Sequence, residues 1–346
     1  MTSEVKPNAV RRSTLNGTRL NKQSGISRAK TDRKKTVIVT GSAGFIGSHL
    51  AEALLNKGYK VWGVDNLLTG SKANLHILKR YPNFQFVNHD LTKPLPKKLT
   101  INHYQLIIHL ASPASPPDYQ RYWKETMLVN SVGTLQLLDL AKKQGSRFVF
   151  ASTSEVYGDP SEHPQRESYW GNVNSYGPRA MYDESKRFAE AAIWCYRHNF
   201  NVNTGIVRIF NTYGPRMRPE DGRAVINFLT QALKDKPLTI HGNGRQTRAF
   251  CYVDDMVAGF MKIIESNVEG PVNLGSPAEF TVNQLADAVE KIIGKPLKRL
   301  TMARPTDDPQ QRRPDITLAK KILGWEPKVD LEDGLKQTLE WLHNTR

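Results

Sequence analysis

The chain has little cysteine: two residues, Cys195 and Cys251, in 346. Two thiols make no disulfide framework and suit a reduced cytosolic setting. Long apolar runs are missing as well. No stretch reaches the roughly 18 apolar residues of a membrane span, so no integral membrane segment is expected. Acids are scarce at one end. The first 35 residues hold ten Lys/Arg against only Glu4 and Asp32, which places half of the formal net charge of +16 there. This polar segment, 1–34, lacks the apolar stretch of a secretory signal. A disordered basic tail is the expected reading, with organelle targeting or an anion-binding arm as alternatives. A nucleic-acid binder would need a structured basic face with base-stacking aromatics. The clearest charge cluster is instead the tail, so no nucleic-acid partner is expected. No metal is expected either. The remaining positive charge suits an anionic small substrate.

Order begins near Lys35. Thr36–Thr40 reads as a buried strand running into Gly41-Ser42-Ala43-Gly44-Phe45-Ile46-Gly47, and Phe45–Asn56 has helical spacing with Gly58 beyond it. Strands follow at Val61–Asp65, Phe84–Val87, Leu106–Leu110 and Arg147–Ala151, with a long helix from about Tyr119 to Lys143 before the last. A helix from about Ala180 to Asn199 leads to a strand at Asn203–Ile209, and a helix Val282–Ile293 stands behind a Thr281 cap. Short apolar strands alternating with amphipathic helices predict an α/β fold: a Rossmann-like, doubly wound parallel sheet. The expected organisation is a mainly NAD-binding domain over 35–210 and a smaller, interleaved substrate lobe over 211–346, with segments returning to the first.

The strand, glycine loop and helix have a direct use. Glycines let backbone N–H groups approach a pyrophosphate, and the helix N-terminus favours the anion. Gly41, Gly44, Phe45, Ile46 and Gly47 are therefore candidate cofactor contacts. Asp65, with Asn66 beside it, ends the second strand, where a carboxylate accepts hydrogen bonds from the adenosine ribose and repels a 2′-phosphate. This favours NAD over NADP. Asp90, with Leu91, is placed to meet the adenine.

Tyr182 and Lys186 stand at i and i+4 on one helical face. A phenol ordinarily titrates near 10. A neighbouring ammonium and a positive nicotinamide ring would both lower that value and make Tyr182 a base. Lys186 also suits the nicotinamide ribose, and Thr153, at the end of the fifth strand, suits a share in the substrate proton.

These segments resemble the extended short-chain dehydrogenase/reductase superfamily, over most of the chain from Lys35 onward. Within it they are similar to the UDP-glucuronic acid decarboxylase (UDP-xylose synthase) family. The carrying segments are Ala111–Pro117, Ser152–Pro160, Tyr169–Asn174, Gly177–Arg179, Tyr182–Glu184, Arg208–Met217 and Gln246–Phe250. The resemblance implies a carboxy-lyase with bound NAD that oxidises C4 of UDP-glucuronate, loses CO2 from the β-keto acid and returns the hydride. Tyr182 would be the base, Thr153 its partner and Lys186 its tuner, while Glu155 would orient the ring or a water near C5. Arg248 would meet the substrate's charged end. Lys124, Asn211 and Arg223 would contact the UDP-sugar. Two departures, Ser185 where the family often has Gly and Ser175-Tyr176 where Pro-Ile is frequent, lie close to the catalytic helix. The alternatives are a nucleotide-sugar 4,6-dehydratase, a 4-epimerase or a non-catalytic NAD-binding regulator. Ser154 removes a carboxylate that the dehydratases carry at that position. The helices bearing Trp123, Met127, Phe188 and Trp194 suggest a homodimer, and the two cysteines a cytoplasmic setting.

Overall fold

The computed structural model describes residues 35–345. The basic segment 1–34, read above as a tail, lies outside the described residues. Seven strands form one all-parallel sheet: β1 (Thr36–Thr40), β2 (Lys60–Asp65), β3 (Phe84–Asn88), β4 (Leu106–His109), β5 (Arg147–Thr153), β6 (Thr204–Ile209) and β7 (Pro271–Leu274). Their order is β3-β2-β1-β4-β5-β6-β7, the doubly wound arrangement expected from the alternation. Val37 and Val39 point to one face, against Leu50 and Leu54 of the helix Phe45–Asn56. Ile38 points to the other, among Leu137, Leu138 and Ile193. Both faces are covered, so the central strands β1 and β4 are mostly apolar runs. Each such side chain, fully buried, contributes about 1.5–3 kcal/mol.

The strand order reverses between β1 and β4, and such a switch opens a crevice at the carboxyl ends of the strands. Gly41 follows β1, Asp65 ends β2, Leu110 follows β4 and Thr153 ends β5. The chain thus delivers the sequence-derived site residues to one edge of the sheet.

One expected element differs. The long helix over Tyr119–Lys143 is instead Pro116–Arg121, Trp123–Leu128, a π turn Val129–Gly133 and Thr134–Gln144. Tyr122 leaves helical geometry at φ −108° and ψ 44°. Further on, the hydroxyls of Thr126, Ser131 and Thr134 each donate back to the carbonyl four residues earlier. Such back-bonding competes with the regular ladder and bends helices.

The rest of the chain is built from short pieces. Strand Leu238–His241 pairs with Arg299–Met302, while Thr247–Ala249 lies between Glu279–Thr281 and Gln311–Arg312. The helix Val282–Ile293 starts at the expected Thr281 cap. Thr281 accepts from the Gln284 amide at 3.0 Å, and Gln284 answers at 2.8 Å, a capping box.

Candidate active site

The glycine loop is shaped by close approach. Gly41 has φ +70°, and a Cβ on Gly47 would lie 2.0 Å from the Gly41 carbonyl oxygen. The loop therefore admits no side chain at position 47, and it leads into a helix whose first turn carries no acid and no side-chain cap. Its first N–H groups and the positive end of the helix dipole are left for an anion. Asp65 braces the loop: its carboxylate accepts from the Ala43 amide at 2.9 Å and the Leu67 amide at 2.8 Å. Burial raises its pKa, and those two amides oppose the rise.

Two connected cavities follow the crevice. The larger, about 560 Å³, is lined by Gly41, Gly44, Phe45, Ile46 and Gly47 at one end and by Thr153, Glu155, Tyr182 and Lys186 in the middle. Asn211, Arg223 and Arg248 line it further on. The smaller, about 80 Å³, shares Gly41 and Gly44 with it and runs past Asp65, Asn66, Asp90 and Leu91. The glycine cradle, the uncapped helix end and the ribose-facing acid fit a dinucleotide. Of the sequence-derived residues, Lys124 alone is not brought in. It is exposed on the short helix Trp123–Leu128 and lines neither cavity.

Thr153 closes β5 and caps the turn that follows by accepting from the Glu155 amide at 3.2 Å. One helical turn separates Tyr182 from Lys186, whose Nζ donates to the Ala151 carbonyl at 2.8 Å and stands 5.8 Å from the Tyr182 ring centroid. Burial lowers the Lys186 pKa to about 7. The acidified phenol is expected of the site with its positive nicotinamide in place, and the lysine alone does not produce it. In the protein alone, burial raises Tyr182 well above the usual phenol value; a hydrogen bond with Thr153 and the charge of Arg223 pull down, while Glu155 and Asp183 push up. Desolvation by burial is the largest of these effects.

Three side chains that the sequence reading gave no role belong to the site. Tyr119 stacks on Tyr182, with centroids 5.0 Å apart and an interplanar angle of 8°. Arg179 forms an ion pair with Glu155 and lies 3.8 Å from Asp183. Arg312, fully buried, reaches Glu155 at 3.2 Å and donates to the Gly158 carbonyl at 2.7 Å. Burial pushes the Glu155 pKa up, but Arg179, Arg312 and Arg248 outweigh it and hold the carboxyl at about 2. Arg248 also pairs with Asp308 at 2.9 Å, and Arg223 is forked onto Asp221 at 2.6 and 2.8 Å. The departing Ser185 is accommodated inside the helix packing. It is buried, donates to the Tyr182 carbonyl at 3.0 Å and accepts from Asn130 at 3.1 Å. Tyr176, the other departure, is 98% exposed.

Residues 37–275 match the NAD dependent epimerase/dehydratase family. The chain belongs to that family. It is 50% identical over 301 residues to UDP-glucuronic acid decarboxylase 6 of Arabidopsis thaliana, covering 86% of each chain. It is 48% identical over 313 residues to UDP-glucuronic acid decarboxylase 1 of Xenopus tropicalis, covering 90% of this chain and 73% of the relative. Among solved structures, UDP-glucuronic acid 4-epimerase from Bacillus cereus in complex with UDP-glucuronic acid and NAD superposes with a TM-score of 0.82, at 31% identity, over 90% of this chain and 100% of that one. UDP-glucose 4-epimerase from Thermotoga maritima with UDP-glucose gives 0.83 at 30% identity, over 90% and 99%.

Proposed function

We propose that this protein is an NAD-dependent UDP-glucuronate decarboxylase that forms UDP-xylose and CO2 without net oxidation. The observation that carries the reading is the gathering of Arg179, Arg248 and Arg312 around Glu155, beside Tyr182. Three guanidiniums around one catalytic carboxylate, with Asp308 and Asp183 as further partners of Arg248 and Arg179, suit a sugar that brings a carboxylate of its own. Relatives named as UDP-glucuronic acid decarboxylases, about half identical over most of the chain, point the same way.

NAD, when bound, supplies the chemistry of taking a hydride from the sugar and giving it back. The glycine loop and the first-turn amides hold its diphosphate, Asp65 and Asn66 its adenosine ribose, Asp90 and Leu91 its adenine, and Lys186 its nicotinamide ribose. Tyr182 takes the proton of the C4 hydroxyl, and Thr153 shares it. A ketone at C4 makes the sugar a β-keto acid, so the electron pair left by departing CO2 is held as an enolate and not as an isolated carbanion. Glu155 orients the ring edge at C5, Arg248 holds the substrate's charged end, and Asn211 and Arg223 contact the nucleotide sugar. Lys124 has no part in this scheme.

One observation favours a second reading. The 4-epimerase from Bacillus cereus, with the same acidic sugar named in its complex, shares the fold at 0.82. The two outcomes differ in mass. Purified protein given UDP-glucuronate is expected to release CO2 and UDP-pentose in equal amounts with no net NADH. An unchanged mass with C4 inverted would make the protein an epimerase, and loss of water from a neutral nucleotide hexose without turnover of glucuronate would make it a dehydratase.

The division into a cofactor domain over 35–210 and a substrate lobe over 211–346 is supported by the cavities, since the glycine-loop end is built from the first segment and Arg248 and Arg223 from the second. β7 and the helix Val253–Glu265, packed on the helix Phe45–Asn56, are the returning segments. A homodimer through the helices Trp123–Leu128 and Ala180–Phe200 is supported by the exposure of Trp123 (55%), Met127 (46%), Phe188 (45%) and Trp194 (59%), large apolar groups that call for cover. A cytoplasmic setting is supported by the two unpaired cysteines. Among the described residues no helix is long and apolar enough to cross a membrane.

A further inference from the structure

Replacing a sugar carboxylate by hydrogen consumes one proton per turnover. The C5–carboxylate bond breaks and CO2 leaves. The electron pair stays on the sugar as the enolate, and that pair with one proton becomes the new C5–H bond. The proton that Tyr182 takes from the C4 hydroxyl goes back to the same oxygen when the hydride returns. The C5 proton is therefore drawn from solvent, and the larger cavity is where, under the decarboxylase reading, the two nucleotides sit.

A second large cavity, about 500 Å³, adjoins the site. Its rim is exposed at Asp159, Asn172 and Asn174, and its floor is Glu155, Arg179 and Asp183. Glu155 and Arg179 also line the 560 Å³ cavity, whereas Asp183 lines the second alone. The two cavities also share Pro305, Asp308 and Pro309, so the Glu155–Arg179 ion pair is one part of the wall between them, with Asp183 behind it at 3.8 Å from Arg179. Asp183 is 5% exposed, and its Oδ1 is buried without a hydrogen-bond partner.

We propose that the second cavity is the proton entry for C5, and that Asp183 takes up the proton there and passes it across the wall to Glu155, which faces the sugar. The inference rests on the decarboxylase reading. In each turnover the Asp183 O–H bond breaks, a Glu155 O–H bond forms and breaks, the C5–H bond forms, and Asp183 regains its proton from solvent. The groups facing Asp183 are Glu155 after β5, Arg179 and Glu184 on its own helix and Arg312 from the strand Gln311–Arg312; the phenols of Tyr119 and Tyr182 are also near. Burial, and next the Glu155 charge, raise the Asp183 carboxyl, with Arg179 and Arg312 opposing, so it keeps a proton more readily than Glu155 does. Asp183 therefore holds the proton between turnovers, and its transfer to the more acidic Glu155 is uphill and is drawn forward by formation of the C5–H bond.

The test is a single turnover of full-length, NAD-loaded protein with UDP-glucuronate, followed by the absorbance of reduced nicotinamide. Its rise reports oxidation at C4, and its decay reports the steps after CO2 loss. Asp183→Asn is expected to slow the decay about tenfold or more relative to the rise, with Asp183→Glu restoring it. Asn174→Trp, which fills the exposed rim without touching Tyr182, is expected to slow the decay in the same sense and serves alone if Asp183→Asn does not fold. Decay at the wild-type rate in these variants, or a rise slowed as much as the decay, overturns the proposal. Wild-type protein that releases CO2 beside variants of unslowed decay fails this proposal only; wild-type protein that releases none fails the decarboxylase reading and this proposal with it.

Discussion

Removing the charge of Glu155 tests the electrostatic core of the site. In the folded protein its carboxyl is held at about 2 against an ordinary 4.5. The difference of about 2.5 units corresponds to about 3 kcal/mol of stabilisation when the group is ionised. Its folded pKa is depressed, so the contribution is full above pH 4.5, shrinks as the pH falls, and is gone below about 2. Glu155→Gln keeps the shape and leaves Arg179, Arg248 and Arg312 facing one another with less compensation, which is strongly destabilising for buried ions. Urea unfolding of wild type and Glu155→Gln is expected to differ by about 3 kcal/mol at pH 7 and by about 2 kcal/mol at pH 3.5. Equal stabilities at pH 7, or a gap that does not narrow with acid, would refute the reasoning that three guanidiniums hold this carboxylate.

Other outcomes follow from the same geometry. Tyr182→Phe is expected to lower turnover by about a hundredfold or more while bound NAD, measured after gel filtration, stays at the wild-type level. Lys186 is buried with its pKa lowered to about 7, so below pH 7 the folded protein bears the full cost of its charge, which fades as the pH rises toward the unfolded value. Thermal melts of the cofactor-free protein should therefore show Lys186→Met gaining more stability at pH 6 than at pH 9. Gly47→Ala places a Cβ 2.0 Å from the Gly41 oxygen and is expected to destabilise by about 1–3 kcal/mol and to weaken NAD binding in a titration.

The parts legible in the sequence were the local ones. Phe45–Asn56 and Val282–Ile293 start and stop where their glycine loop, capping threonine and periodicity place them. The doubly wound parallel sheet follows from the alternation of strands and helices, and Thr153 falls at a strand end and Tyr182 and Lys186 on one helix as their spacing predicts. The break at Tyr122 and the π turn were not legible, because they come from hydroxyl groups turning back on their own carbonyls within an otherwise helical pattern. Arg312 sits in a basic run, Arg312-Arg313, that reads as solvated. It is buried only because Gln311–Arg312 adds to the strand Thr247–Ala249 and brings it to Glu155, 157 positions away. Arg179 stands in a quoted motif, yet its pairing with Glu155 needs the helix to be docked on β5 first. Lys124 was drawn in by its resemblance to a family lysine, and the short helix Trp123–Leu128 leaves it exposed.

The claim beneath all of this is that one hydride leaves C4 of an acidic sugar and comes back to it within a single enzyme molecule. UDP-glucuronate carrying deuterium at C4 measures it directly. The account predicts UDP-xylose with the deuterium retained at C4, even with unlabelled NADH in solution; a product whose C4 label has been lost, or a label recovered in the free cofactor pool, would contradict it.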